Sequence, residues 1–159
     1  MKLFTVGYGR WPTATRMDRL IAALKDAGVT LLIDTRHSPC ASQMSAESHY
    51  GAKDWNLQAG ESGIAAILQS HGIDYRWLVE LGNPQKNDPA MAVLREHLAS
   101  ADDRWPIKRG LALLAKVLRE SGPCALLCAC ADWRTCHRTV VAEAMRERFP
   151  ELGIEVVHV

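Results

Sequence analysis

Short apolar runs alternate with helical stretches along nearly the whole chain, and few folds accommodate that alternation. Lys2 to Val6 reads as a first strand, closed by the Gly7-Tyr8-Gly9 turn signal. Thr15-Arg16-Met17-Asp18 has the spacing of a capping box, Leu20, Ile21 and Leu24 recur at helical period, and Gly28 stops the helix. Val29 to Ile33 is continuously apolar, as strands buried on both faces are. Strand, helix and buried strand in that order predict a right-handed βαβ unit. Beyond a polar insertion, Ser38 to Gly60, the pattern resumes with a weak helix over Gly63 to Gln69 and a strand over Ile73 to Val79 that carries Trp77 into the core. Asp88 and Pro89 form a cap and first-turn pair for a helix through Leu98. Ile107 to Leu118 has a strong apolar face and stops at Gly122. Ala125 to Cys130 is another buried strand, a helix runs from about Cys136 to Phe149, and Ile154 to Val159 closes the chain as a strand. The predicted architecture is α/β: one domain over residues 1–159, three layers deep, with a mostly parallel sheet flanked by helices.

A chain of 159 residues can bury one core without disulfides. The formal net charge of +1 argues against attachment to nucleic acid through bulk electrostatics, although a local basic cleft is compatible with it. The start, MKLFTVGYGRW, lacks the apolar core of a secretory signal, and no segment approaches the roughly 20 apolar residues that span a bilayer. A cytoplasmic protein without membrane contact is the expectation. Five cysteines, at 40, 124, 128, 130 and 136, cannot all pair within one chain, so reduced thiols are expected. Cys124 and Cys128, in or beside an apolar strand, read first as small core residues.

In a parallel sheet the residues just past the strand ends gather at one edge, where open α/β proteins bind ligands. Tyr8, Gly9 and Arg10 follow the first strand, Asp34 to His37 the second, Glu80 to Gly82 the third, and Asp132 to Arg138 the fourth. Cys136, with Thr135 as N-cap, would sit at a helix mouth, where backbone dipoles lower a thiol pKa. It is the candidate nucleophile, His137 or His37 a candidate proton carrier, and Asp34 a group that fixes an arginine, orients a histidine or binds a ribose hydroxyl. Arg10, Arg36, Arg134 and Arg138 offer planar donors for phosphate or carboxylate. With Tyr8, His37 and Glu80 they form the predicted substrate-contacting set, around a catalytic set of Cys136, His137 and Asp34.

Cys128, Cys130, Cys136 and His137 also have donor types that suit zinc, although their spacing is not that of a familiar zinc motif. Cys-x-Cys in an extended strand points both sulfurs to one face, so chelation requires that the strand end early. Dinucleotide and P-loop signatures are absent from the sequence, and one residue between Cys136 and Arg138 is too short for a phosphatase cradle or a rhodanese-like anion bowl. Trp11 and Trp133, in the edge loops, could stack on a base.

Four segments together resemble the DUF488 family of small α/β proteins: Thr5-Val6-Gly7-Tyr8, Asp34-Thr35-Arg36 with Pro39 beyond it, Glu80-Leu81-Gly82, and Cys136-His137-Arg138. They occur in the expected order across nearly the whole chain. The family resemblance implies the α/β fold and no specific reaction. Relatives often carry an acidic residue after the late-strand cysteine, where this chain has Cys128-Ala129-Cys130 and offers Asp132 from a shifted position. The reading is an enzyme acting on a nucleotide, a nucleic-acid component or another phosphate-bearing compound through the Cys/His/Arg cleft. Its alternatives are a nonenzymatic nucleotide or nucleic-acid binding domain and a metal-stabilised interaction domain. Cofactor and protein partner are left open.

Overall fold

The apolar runs of the chain line up edge to edge in a computed structural model that describes residues 1–36, 63–85 and 88–159. The polar insertion Ser38 to Gly60, together with His37, lies outside the described residues. The strands are β1 (Lys2–Gly7), β2 (Leu31–Asp34), β3 (Asp74–Trp77), β4 (Cys124–Cys128) and β5 (Glu155–His158). They form one sheet in the order β3-β2-β4-β1-β5, with every pairing parallel. The helices are α1 (Arg16–Asp26), α2 (Ile64–Ser70), α3 (Ala92–Ala99), α4 (Pro106–Ser121) and α5 (His137–Arg148).

Alternation along each strand sorts the core into two halves. Phe4, Val6, Leu32, Ala125 and Leu127 pack with Leu20, Ile21 and Leu24 of α1 and with Ile64 and Leu68 of α2. Leu3, Leu31, Ile33, Cys124 and Leu126 face the other way, onto Leu94 of α3, Leu111 and Leu114 of α4, and Val141 and Met145 of α5. β4 is paired on both edges and buried at every residue. The helices that follow the neighbouring strands β1 and β4 lie on opposite faces of the sheet. That divergence marks a topological switch point at the strand C-termini, where α/β sheets commonly form a ligand crevice. Among the described residues, no helix is long and apolar enough to cross a membrane.

Several boundaries differ from expectation for local reasons. Thr15 stands at the N-cap of α1 but makes no side-chain cap bond, because Thr13–Thr15 is already a 3-10 turn running into the helix. α3 starts at Ala92, after a turn in which Met91 takes a left-handed conformation (φ 53°) while its side chain is buried. Asp88 still serves the start of this helix, its Oδ2 accepting from Val93 N at 3.1 Å. Trp77 is 38 % exposed, not core, because β3 is an edge strand; its indole N–H donates to Arg36 O at 2.8 Å. β4 ends at Cys128, so Ala129 and Cys130 have left the sheet.

The tail beyond β4 crosses the end of β1 in close contact. A Cβ built on Gly7 would fall on the Cys130 carbonyl oxygen and 2.7 Å from both terminal nitrogens of Arg138, while one on Gly9 would fall on the Ala129 carbonyl oxygen. The first clash is with backbone, which has no rotamer to yield. Gly7→Ala should therefore lower stability by at least about 3 kcal/mol, the upper range of overpacking. Urea denaturation measures it, and a midpoint equal to wild type would contradict the packing.

Candidate functional site

Past β4 the chain reverses within eight residues, and side-chain caps fix the reversal. Asp132 accepts from Arg134 N at 2.9 Å and shapes the 3-10 turn Trp133–Thr135. Thr139 Oγ1 then donates to Trp133 O at 2.6 Å, tying that turn to the first turn of α5. Thr135 is thus part of the turn, and Cys136 itself is the N-cap, with extended backbone (φ −114°, ψ 140°). The reversal lays Cys136 back over the end of β4. There the sulfurs of Cys128, Cys130 and Cys136 lie within 4.8 Å of one another, two of them on buried residues and that of Cys130 on an exposed one. Cys128 and Cys130 are 3.7 Å apart. Cys124, four residues earlier on β4, is a plain core residue, and burial pushes its thiol up to about 12.

His137 borders this cluster. Its Nδ1 is 3.6 Å from Cys128 Sγ and 3.9 Å from Cys136 Sγ. Its Nε2 is 3.0 Å from Thr35 O and 3.1 Å from Thr35 Oγ1. Thr35 Oγ1 gives its one hydrogen to Leu127 O at 2.8 Å, so toward the ring it can only accept. Both groups facing Nε2 are acceptors, and the proton of the neutral ring therefore sits on Nε2. The Nδ1 lone pair is left facing the sulfurs. Burial lowers the His137 pKa, which keeps the ring neutral.

The thiols share their protons unequally. Cys128 is depressed well below the ordinary thiol value, mainly because it accepts hydrogen bonds from Cys130 and then Cys136, with Arg138 adding positive potential. Cys136 is shifted strongly upward for the complementary reason, as a donor to Cys128 and Cys130. The expectation that the helix mouth lowers the Cys136 pKa is therefore not met: the sulfur that is shifted downward is Cys128, because Cys130 and Cys136 donate to it. Arg138 is 2 % exposed and donates to Cys130 O at 2.9 Å. Its Nε has no hydrogen-bond partner, and no acidic group ion-pairs with it among the described residues. A buried cation in this position needs a nearby negative charge.

A second buried network centres on Asp34. Asp34 accepts from the Arg36 backbone N–H at 2.9 Å, from Arg36 Nε at 2.9 and 3.0 Å, from Arg36 Nη2 at 2.5 Å and from Tyr75 OH at 2.5 Å. Arg36 Nη1 donates to Tyr8 OH at 3.1 Å. Burial pushes Tyr8 up to about 12 and shifts Tyr75 strongly upward; Asp34 and Tyr75's bond to it raise Tyr75 further.

The predicted site residues therefore divide. Cys136, His137 and Arg138 meet Cys128 and Cys130, while Asp34, Arg36 and Tyr8 form the adjoining network, linked to the first group through Thr35. Arg10 is exposed over the Trp11 ring, 4.4 Å from its centroid. Arg134 is exposed and lies 3.5 Å from Asp132. Trp133, considered for base stacking, already stacks on His158 at 4.0 Å. Glu80 belongs to the 3-10 turn after β3, where Leu81 is fully buried and Gly110 of α4 makes room for both. Its neighbours are on α4. His37 lies outside the described residues. Thr35 and Tyr75 were missing from the predicted set; Thr35 lies inside the Asp34-Thr35-Arg36 segment but was read only through its flanking charges, and nothing in the sequence around Tyr75 marks it.

The Cys/His cluster and the buried charges around it make a candidate ligand-binding or metal-binding site. A family profile described as a domain of unknown function, DUF488, matches residues 16–145. That span includes Asp34-Thr35-Arg36, Glu80-Leu81-Gly82 and Cys136-His137-Arg138, and leaves out Thr5-Val6-Gly7-Tyr8. Compared with curated proteins and with solved structures, the chain finds no significant match. Asp34→Asn removes the carboxylate charge that pairs with the buried Arg36 guanidinium and should cost about 3 to 5 kcal/mol. Tyr75→Phe removes one donor and should cost about 1 kcal/mol. Urea midpoints of the two variants, compared with wild type, check both the size and the order.

Proposed function

The chain belongs to the DUF488 family, and we propose that it binds one thiophilic metal ion of the zinc class through Cys128, Cys130 and Cys136. The mutual approach of the three sulfurs carries this reading. Tetrahedral zinc with Zn–S bonds of about 2.3 Å separates its sulfurs by about 3.8 Å. Cys128 and Cys130 stand 3.7 Å apart. Soft thiolates select zinc-class ions over magnesium or calcium, which prefer oxygen.

Charge supports the same reading. Three thiolates around a divalent ion carry one net negative charge, and Arg138 brings the single positive charge that balances it. The exposed Cys130 gives an ion its way in. Bound there, the metal would staple the end of β4 to the start of α5 and add its binding energy to local stability. Protein purified under reducing conditions should contain about one zinc equivalent by elemental analysis, consistent with a single-ion site. Cys130→Ser should lose most of it, and Cys124→Ser, a core position, should keep it. Chelation should lower the unfolding temperature strongly for wild type and Cys124→Ser and only weakly for Cys130→Ser, as thermal melts with and without chelator would show. Wild-type protein that is metal-free and takes up neither zinc nor cobalt(II) would overturn the reading.

A second reading rests on the unpartnered, buried Arg138 Nε beside a sulfur cluster at a helix start. Here the cleft takes an anionic, phosphate-bearing compound such as a nucleotide or nucleic-acid component. Cys136 or His137 takes part in transfer or hydrolysis, Arg138 with Arg10 and Arg134 places the anion, and Asp34 with Tyr8 and Arg36 holds the floor of the cleft. Turnover of phosphate-bearing compounds that Cys136→Ser abolishes, with binding retained, is the expected outcome for an enzyme. Unchanged function in that variant identifies a nonenzymatic binder.

A further inference from the structure

Resting on the metal reading, we infer that His137 Nδ1 is the fourth ligand of the ion and that Thr35 is the positioning residue that aims it. The ring orientation is decided without reference to any metal. Thr35 O and Thr35 Oγ1 both face Nε2, at 3.0 and 3.1 Å, and the hydroxyl hydrogen of Thr35 is spent on Leu127 O. Nε2 is consequently the protonated nitrogen, and Nδ1 carries the free lone pair. Metal-bound histidines are held in this way, with the second ring nitrogen donating to a carbonyl or carboxylate that fixes tautomer and plane.

The lone pair faces two of the three sulfurs, Cys128 and Cys136, near tetrahedral spacing. Zn–S bonds of about 2.3 Å and a Zn–N bond of about 2.0 Å put sulfur and nitrogen about 3.5 Å apart. Nδ1 is 3.6 Å from Cys128 Sγ and 3.9 Å from Cys136 Sγ. Adjacent residues rarely converge on one centre. Here the N-cap conformation of Cys136 turns its side chain back while His137 begins the helix, and the two side chains meet. The ligand set is then Cys128, Cys130, Cys136 and His137, a Cys₃His site of the structural kind with no position left for substrate.

The test is zinc K-edge X-ray absorption on the full chain loaded with one equivalent of zinc. The expected first shell is three sulfurs at about 2.3 Å and one nitrogen at about 2.0 Å, with the outer-shell scattering of an imidazole ring. His137→Ala should lose the imidazole scattering and bind zinc at least about 100-fold more weakly, and Thr35→Val should weaken binding by about 10-fold. Wild-type spectra decide the matter even if a variant fails to fold. Zinc bound by three sulfurs without imidazole scattering overturns the fourth ligand and leaves the three-thiolate reading standing. Failure of wild type to bind zinc at all overturns that reading, and this inference with it.

Discussion

β4 is bonded along both edges and covered on both faces from Cys124 to Leu127, so none of these four residues can meet solvent or a ligand. Whatever chemistry the chain does with this strand is confined to the point where pairing stops. That point is Cys128. The next two residues leave the sheet over Gly7 and Gly9, which have no side chains to obstruct them. The following turn brings Cys136 and His137 back to the same spot. The sulfur cluster thus follows from a buried central strand, two glycines in its neighbour and a tight reversal.

The polar floor of the crevice obeys a related constraint. Asp34 and Arg36 are almost completely enclosed, and such a pair survives burial only when its lone pairs and hydrogens are satisfied. Tyr8, Tyr75 and the backbone of Arg36 itself supply that satisfaction. Between the two charged residues stands Thr35, whose N–H and hydroxyl both donate to Leu127 O while its carbonyl receives His137. The rigid pair on either side gives this small residue its fixed aim. Buried polar networks of this kind add geometric definition more reliably than net stability.

Period and breakers made most of the architecture legible in sequence. All five strands and the helices over Leu20 to Leu24 and Leu111 to Leu118 follow from hydrophobic spacing, and Gly28 and Gly122 do occupy positive-φ positions after their helices. Spacing said less where side chains or tertiary neighbours decide. Thr135 looks like a better cap than Cys136 until Asp132 captures the Arg134 N–H. Trp77 reads as core in any strand that is not at an edge. At the site, the Cys-His-Arg triplet and Asp34-Thr35-Arg36 were visible as polar residues after strands. The pairing of each arginine was not, since Arg36 turns to Asp34 two residues away while Arg138 reaches the carbonyl of Cys130. Thr35 was invisible because its role depends on a histidine about a hundred residues later in the chain.

All four proposed donors, Cys128, Cys130, Cys136 and His137, lie within ten consecutive residues. An unfolded chain carries the same chelating segment, so an ion held by these donors would have affinity for both states, and only the difference between them would stabilise the fold. That difference comes from the distant partners that arrange the segment, Thr35 above all. Capture of a metal by that segment would then not have to wait for the sheet, and docking against β2 would tighten it.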